Sequence, residues 1–94
     1  MRGQQPSHFT LQTAEDGTVL IALSAFAKEE FKTVQWIEPP AVGKRIALND
    51  VLLSIESTKA IFELESPVSG SVLEVNVEKE SPLDLLIRMQ PATH

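Results

Sequence analysis

The chain reads as an all-β domain, a sandwich or flattened barrel with one short helix, and three observations predict that class. Apolar residues alternate with polar ones in a succession of short runs, among them Phe9-Thr10-Leu11-Gln12 and Phe62-Glu63-Leu64-Glu65, the period that turns one face of a strand to a core. Gly, Pro, Asn and Asp punctuate these runs at fairly even intervals, as in sandwiches and barrels. Residues 25–32 alone combine Ala, Lys and Glu with apolar side chains leaning to one side, the composition of a short helix.

Each element follows in order. Phe9 and Leu11, a turn at Glu15-Asp16-Gly17, and Val19, Ile21 and Leu23 make a β-hairpin. Ser24 is placed to cap a helix from Ala25 to Lys32, with Phe26, Ala27 and Phe31 on its apolar side. Val34 and Trp36 resume as a strand that stops at Pro39-Pro40, because neither proline can donate to a ladder. Val42-Gly43-Lys44 makes a corner, Ile46 to Leu48 a short strand and Asn49-Asp50 a turn. Val51 to Glu56 is a strand with Val51, Leu53 and Ile55 on one face, and Ala60 to Glu65 a second with Phe62 and Leu64 opposite Glu63 and Glu65. Only Ser57-Thr58-Lys59 separates them, which predicts a tight hairpin with Lys59 at its tip. Ser66-Pro67-Val68-Ser69-Gly70 turns the chain into a strand through Val72, Leu73, Val75 and Val77, and Leu85 to Met89 is the last strand. Pro40-Ala41-Val42-Gly43 and Pro67-Val68-Ser69-Gly70 share a Pro-x-x-Gly corner, a weak sign of two sheets of related construction.

At 94 residues one small domain over residues 8–90 is expected, with a loose lead-in over 1–7, a tail over 91–94 and no deep substrate cavity. The net charge of −5, without a cluster of Lys or Arg, argues against nucleic acid as a partner. Cysteine is absent, which excludes disulfides, thiolate metal sites and a cysteine nucleophile, and suits a reducing compartment. Apolar runs are far shorter than the roughly 20 residues that cross a bilayer, and no signal-peptide core is visible. The expectation is a soluble, cytoplasmic, monomeric protein without a membrane partner.

Few residues offer chemistry of their own. His8 and His94 fall near opposite ends, in segments expected to be mobile, so neither a metal site nor a histidine acid–base pair is expected. The serines at 24, 54, 57, 66 and 69 lack a nucleophile elbow and read as caps or turns. Glu63, Glu65, Glu74, Glu78 and Glu80 lie opposite the apolar sets and read as solvated, so no catalytic residue is assigned. Lys59 differs by position. An exposed lysine, with an ordinary pKa of about 10.4, is a poor nucleophile unaided, but a hairpin tip offers access to an enzyme that supplies the base and acylates it. Lys59 reads as a substrate for modification.

Glu56-Ser57-Thr58-Lys59-Ala60, followed by Ser66-Pro67-Val68-Ser69-Gly70, resembles the attachment hairpin and following turn of lipoyl domains. Biotin carriers tend to place methionine on both sides of the lysine, and here Thr58 and Ala60 stand there. The stretch from His8 to Gly43, with its helix, Trp36 strand, Pro40 and Val42-Gly43, resembles the glycine cleavage H protein family, and the likeness runs to about residue 89. The resemblance implies a lipoyl/biotinyl-type flattened β-barrel sandwich. It implies lipoate in amide linkage to Lys59, with Glu56 and Ser57 helping a lipoylating enzyme recognise a turn completed by Thr58 and Ala60. It further implies a non-enzymatic carrier in one-carbon metabolism, passing an aminomethyl group or reducing equivalents among glycine decarboxylase, aminomethyltransferase and dihydrolipoamide dehydrogenase. Ser81-Pro82-Leu83 would begin the segment joining the final strands.

Two departures qualify this. Phe26 stands where the family's helix usually carries a histidine near the loaded arm, and Leu85 to Met89 follows Ser81-Pro82 directly where the family has a longer loop and later a C-terminal helix. A trimmed docking surface and a largely exposed arm are therefore expected. The alternatives are an H-like protein serving another lipoate-dependent pathway or a lipoate relay, and an unmodified interaction module.

Overall fold

A computed structural model describes residues 7–92. Most of the lead-in expected over 1–7, and His94 with it, lie outside the described residues. Two antiparallel sheets enclose the core. The larger contains β1 (Phe9–Thr13), β2 (Val19–Leu23), β4 (Arg45–Ile46), β7 (Gly70–Glu78) and β8 (Ser81–Pro91), in the order β1-β2-β8-β7-β4. The smaller contains β3 (Trp36–Glu38), β5 (Val51–Glu56) and β6 (Ile61–Glu65), in the order β3-β5-β6. The helix α1 (Ala25–Glu30) follows β2. The sheets and single helix have the all-β architecture that the alternation predicts. Among the described residues no helix is long and apolar enough to cross a membrane.

The inward positions meet between the sheets. Ile21, Ile87 and Met89 from the larger sheet and Ile37 and Ile55 from the smaller are wholly removed from water. Burying each such side chain contributes about 1.5–3 kcal/mol, the main force holding the layers together.

Local chemistry fixes the element ends. The Ser24 hydroxyl accepts from the Ala27 amide at 3.1 Å and donates to the Ser7 carbonyl at 2.7 Å, capping α1 and tying it to the start of β1. The helix stops at Glu30, two residues short of expectation, because Phe31 turns inward as its C-cap and is buried. At the β1–β2 turn, Arg88 donates to the Thr18 hydroxyl at 2.8 Å, which donates to Asp16 at 2.6 Å. The Thr18 hydroxyl, then its amide, hold the Asp16 carboxyl below its ordinary pKa.

Four expectations need correction. Val51 does not share a face with Leu53 and Ile55: a bulge between Val51 and Leu53 lets Leu52 and Leu53 both turn inward and leaves Val51 exposed. Ser81 to Leu83 belong to β8, not to a joining segment, since Lys79-Glu80 alone reverse the chain and Ser81 pairs with Glu78. Strand β8 runs to Pro91, and the Ala92 amide bonds the Ser69 carbonyl at 2.9 Å. His8, expected in a mobile segment, bonds Glu30 at 2.9 Å and packs against Phe26 and Phe31.

The two Pro-x-x-Gly corners use their glycines differently. Gly43 takes a φ of 92° with open space around it and makes a turn that most side chains resist. Gly70 sits where β7 crosses close to β8, and a Cβ there would overlap the Gln90 carbonyl oxygen.

Candidate functional site

The hairpin between β5 and β6 is built around one serine. Glu56 pairs with Ile61 to end the ladder, leaving Ser57 to Ala60 as the connection. The Ser57 amide donates to the Ala60 carbonyl at 2.9 Å, closing the turn. The Ser57 hydroxyl accepts from the Lys59 and Ala60 amides, each at 3.3 Å, satisfying donors that the tight turn removes from the ladder. Gln35 braces the base, its amide donating to the Glu56 carbonyl at 2.8 Å. Thr58, Lys59 and Ala60 are exposed and Ser57 is half-buried.

The five residues singled out in the sequence therefore lie together: Glu56 closes the strand pair, Ser57 organises the turn, and Thr58, Lys59 and Ala60 present the tip. An amine projected from a bonded turn with solvent on its outer side is positioned for attack on an activated acyl group held by another protein. Among the described residues no three of His, Cys, Asp and Glu converge as a metal site.

Beside Lys59 lies a groove of about 210 Å³, walled by Glu30 and Phe31 at the end of α1, by Val34 in the segment leading to β3, and by Ile55 and Phe62 from the smaller sheet. Phe31 and Phe62 stack across it with ring centroids 5.3 Å apart, a tilted aromatic pair. The sequence does not announce this groove: a largely exposed arm was expected, with Phe26 near it. Phe26 instead packs against His8 at 5.4 Å and does not line the groove. Phe31 and Phe62 are far apart in sequence, and only the folded sheet brings them together. Wider clefts of about 550 and 560 Å³ lie elsewhere, and neither includes Lys59.

Comparison with known proteins agrees with this architecture. The family model described as glycine cleavage H-protein matches residues 4–91. The probable glycine cleavage system H protein of Thermococcus kodakarensis is 44% identical over 79 residues, which are 84% of this chain and 59% of that protein. The probable glycine cleavage system H protein of Pyrococcus horikoshii is 45% identical over 76 residues, 80% of this chain and 57% of that one. The chain thus spans a little under three fifths of the length of these curated relatives. The crystal structure of a glycine cleavage system H protein from Mycobacterium marinum superposes with a TM-score of 0.67 at 24% identity, covering 87% of this chain and 72% of that one, a likeness of fold. By its matched family model and its relatives, the chain belongs to the glycine cleavage H-protein family.

Proposed function

We propose that the chain is a lipoyl carrier, with lipoate in amide linkage to the Lys59 amine. The observation that carries this reading is the exposed Lys59 at the tip of a Ser57-organised hairpin, in a chain of this family. The group fits the surroundings: the amine faces solvent for acylation, and the groove walled by Phe31, Val34 and Phe62 offers apolar surface to the arm. When bound, the lipoyl dithiolane supplies redox and group-transfer chemistry, and the protein's part is to hold and present it. The rigid base of the hairpin, braced by Gln35, limits the volume the arm searches.

The partners proposed are a lipoylating enzyme, glycine decarboxylase, aminomethyltransferase and dihydrolipoamide dehydrogenase, and the cargo an aminomethyl group or reducing equivalents. The cysteine-free composition suits a cytoplasmic setting. Retention of Lys59 within its full turn favours a carrier over an unmodified interaction module.

The lipoylated chain should be reduced by dihydrolipoamide dehydrogenase with NADH, read as NADH consumption that scales with carrier. A lipoylated chain that the dehydrogenase does not reduce would remove the carrier reading. Exchanging Thr58 and Lys59 tests the site's register. The Ser57 hydroxyl holds the amides of residues 59 and 60, so position 59 has a fixed direction and its neighbour points elsewhere. The exchanged variant should be lipoylated at least tenfold more slowly at unchanged Tm; equal labelling would mean that the ligase reads a flexible loop.

A further inference from the structure

Among the described residues, the outer face of the smaller sheet is unpartnered and mixes apolar anchors with carboxylates that form no ion pair. Ile37 and Ile55 point wholly inward, so strand alternation turns their neighbours outward. The register then sets Trp36, Glu56 and Ile61 in one row across β3, β5 and β6, and Glu38, Ser54 and Glu63 in the next. Trp36 is 46% and Ile61 65% exposed, and the register places both in the row nearest the Lys59 turn. The indole is held in place, its Nε1 donating to Glu38 Oε1 at 3.3 Å.

The charged side chains in these rows are acidic, and Lys44 lines the cleft beside Glu38 and Ser54. Among the described residues, Glu38, Glu56, Glu63 and Glu65 form no ion pair. On the outer side of the larger sheet, by contrast, Arg88 is matched with Glu74 at 3.3 Å. A fixed tryptophan and an exposed isoleucine, with Glu56 between them and Glu38 and Glu63 in the next row, suit a partner that brings an apolar contact flanked by Lys or Arg. The face is also continuous with the hairpin, because Glu56 and Ile61 are the pair from which the Lys59 turn departs.

We propose that this face, anchored by Trp36 and Ile61, is where a lipoylating enzyme seats a cationic, partly apolar patch before it acylates Lys59, an inference that rests on the carrier role proposed above. Recognition then extends beyond the turn. An enzyme that grips the rigid sheet reads the position of Lys59 from the ladder, so the tip itself needs few contacts. The carboxylates steer the encounter and Trp36 slows dissociation.

The test is a nuclear magnetic resonance titration of the isotopically labelled, unmodified full chain with a lipoate ligase. Trp36 is the single tryptophan, so its indole N–H is one unambiguous signal. That signal and the amides of Glu56, Ile61 and Glu63 should shift on binding, while those on the outer side of the larger sheet stay still. Trp36→Ala should weaken binding about tenfold or more. Glu38→Gln combined with Glu63→Gln should lower the association rate and flatten its salt dependence, while the rate of acylation within the complex stays within about twofold. Salt of about 1 M, with a screening length near 3 Å, should weaken the wild-type complex and change the double variant much less. Shifts confined to the tip or to the other sheet, no shifts at all, or the same shifts arising without ligase as the chain is concentrated would each overturn the proposal. The carrier reading fails separately: a ligase that binds this face yet leaves Lys59 unacylated supports the docking face and removes the carrier role. Acylation of Lys59 with Trp36 unshifted does the reverse.

Discussion

Lys59→Arg is expected to abolish lipoylation completely while leaving the fold as it is. Arginine keeps the positive charge and the exposed position, but its guanidinium stays protonated and offers no amine for amide formation. Nothing structural depends on the lysine side chain: the bonds that close the turn run through the Ser57 hydroxyl and the backbone of residues 57, 59 and 60. The variant should therefore melt within a degree or two of wild type and show no lipoyl adduct after exposure to ligase and lipoate. Residual labelling would place the attachment elsewhere on the chain. A large loss of Tm would show that the lysine has a structural role the hairpin geometry does not reveal.

Gly70→Ala is expected to be the most damaging single-methyl change in the domain. A Cβ at this position would overlap the Gln90 carbonyl oxygen and lie 3.0 Å from both the Gln90 carbonyl carbon and the Pro91 Cα. These are backbone atoms of β8, so no side chain can swing away, and β7 is held on its other side by β4. Relief requires prising two paired strands apart, at a cost of about 3 kcal/mol or more. For a domain of this size that is a fall in Tm of roughly 10 °C or more. Gly17→Ala supplies the contrast, because Gly17 has a φ of 87° but open space around it. It should cost only backbone strain of about 1 kcal/mol. Equal effects of the two substitutions would mean that β7 and β8 do not approach as closely as the structure places them.

The fold class was legible because it depends on local features. Alternation marked β1, β2 and β6, Ser24 marked the start of α1, and the short Ser57 to Lys59 segment marked the hairpin. The bulge in β5 was hidden because Leu52 and Leu53 are both apolar, so either can fill the inward position and only pairing with β6 decides between registers. The length of β8 was hidden by Pro82, which reads as a break yet is tolerated next to the strand's first residue. Phe31 read as a residue of the helix because nothing local shows that its ring turns toward Phe62. Lys59 was singled out through the motif around it and not through its own chemistry, since one exposed lysine resembles another until its turn is known. The groove beside it depends on side chains from separate elements and left no trace in any single stretch.

Whether Lys59 carries the lipoyl group is decided by intact-mass analysis of the wild-type chain after exposure to a lipoate ligase, ATP and lipoate, followed by peptide mapping. A single lipoyl adduct is expected, carried in full by the peptide that contains Lys59. A chain that stays unmodified, or an adduct on any other lysine, would contradict it.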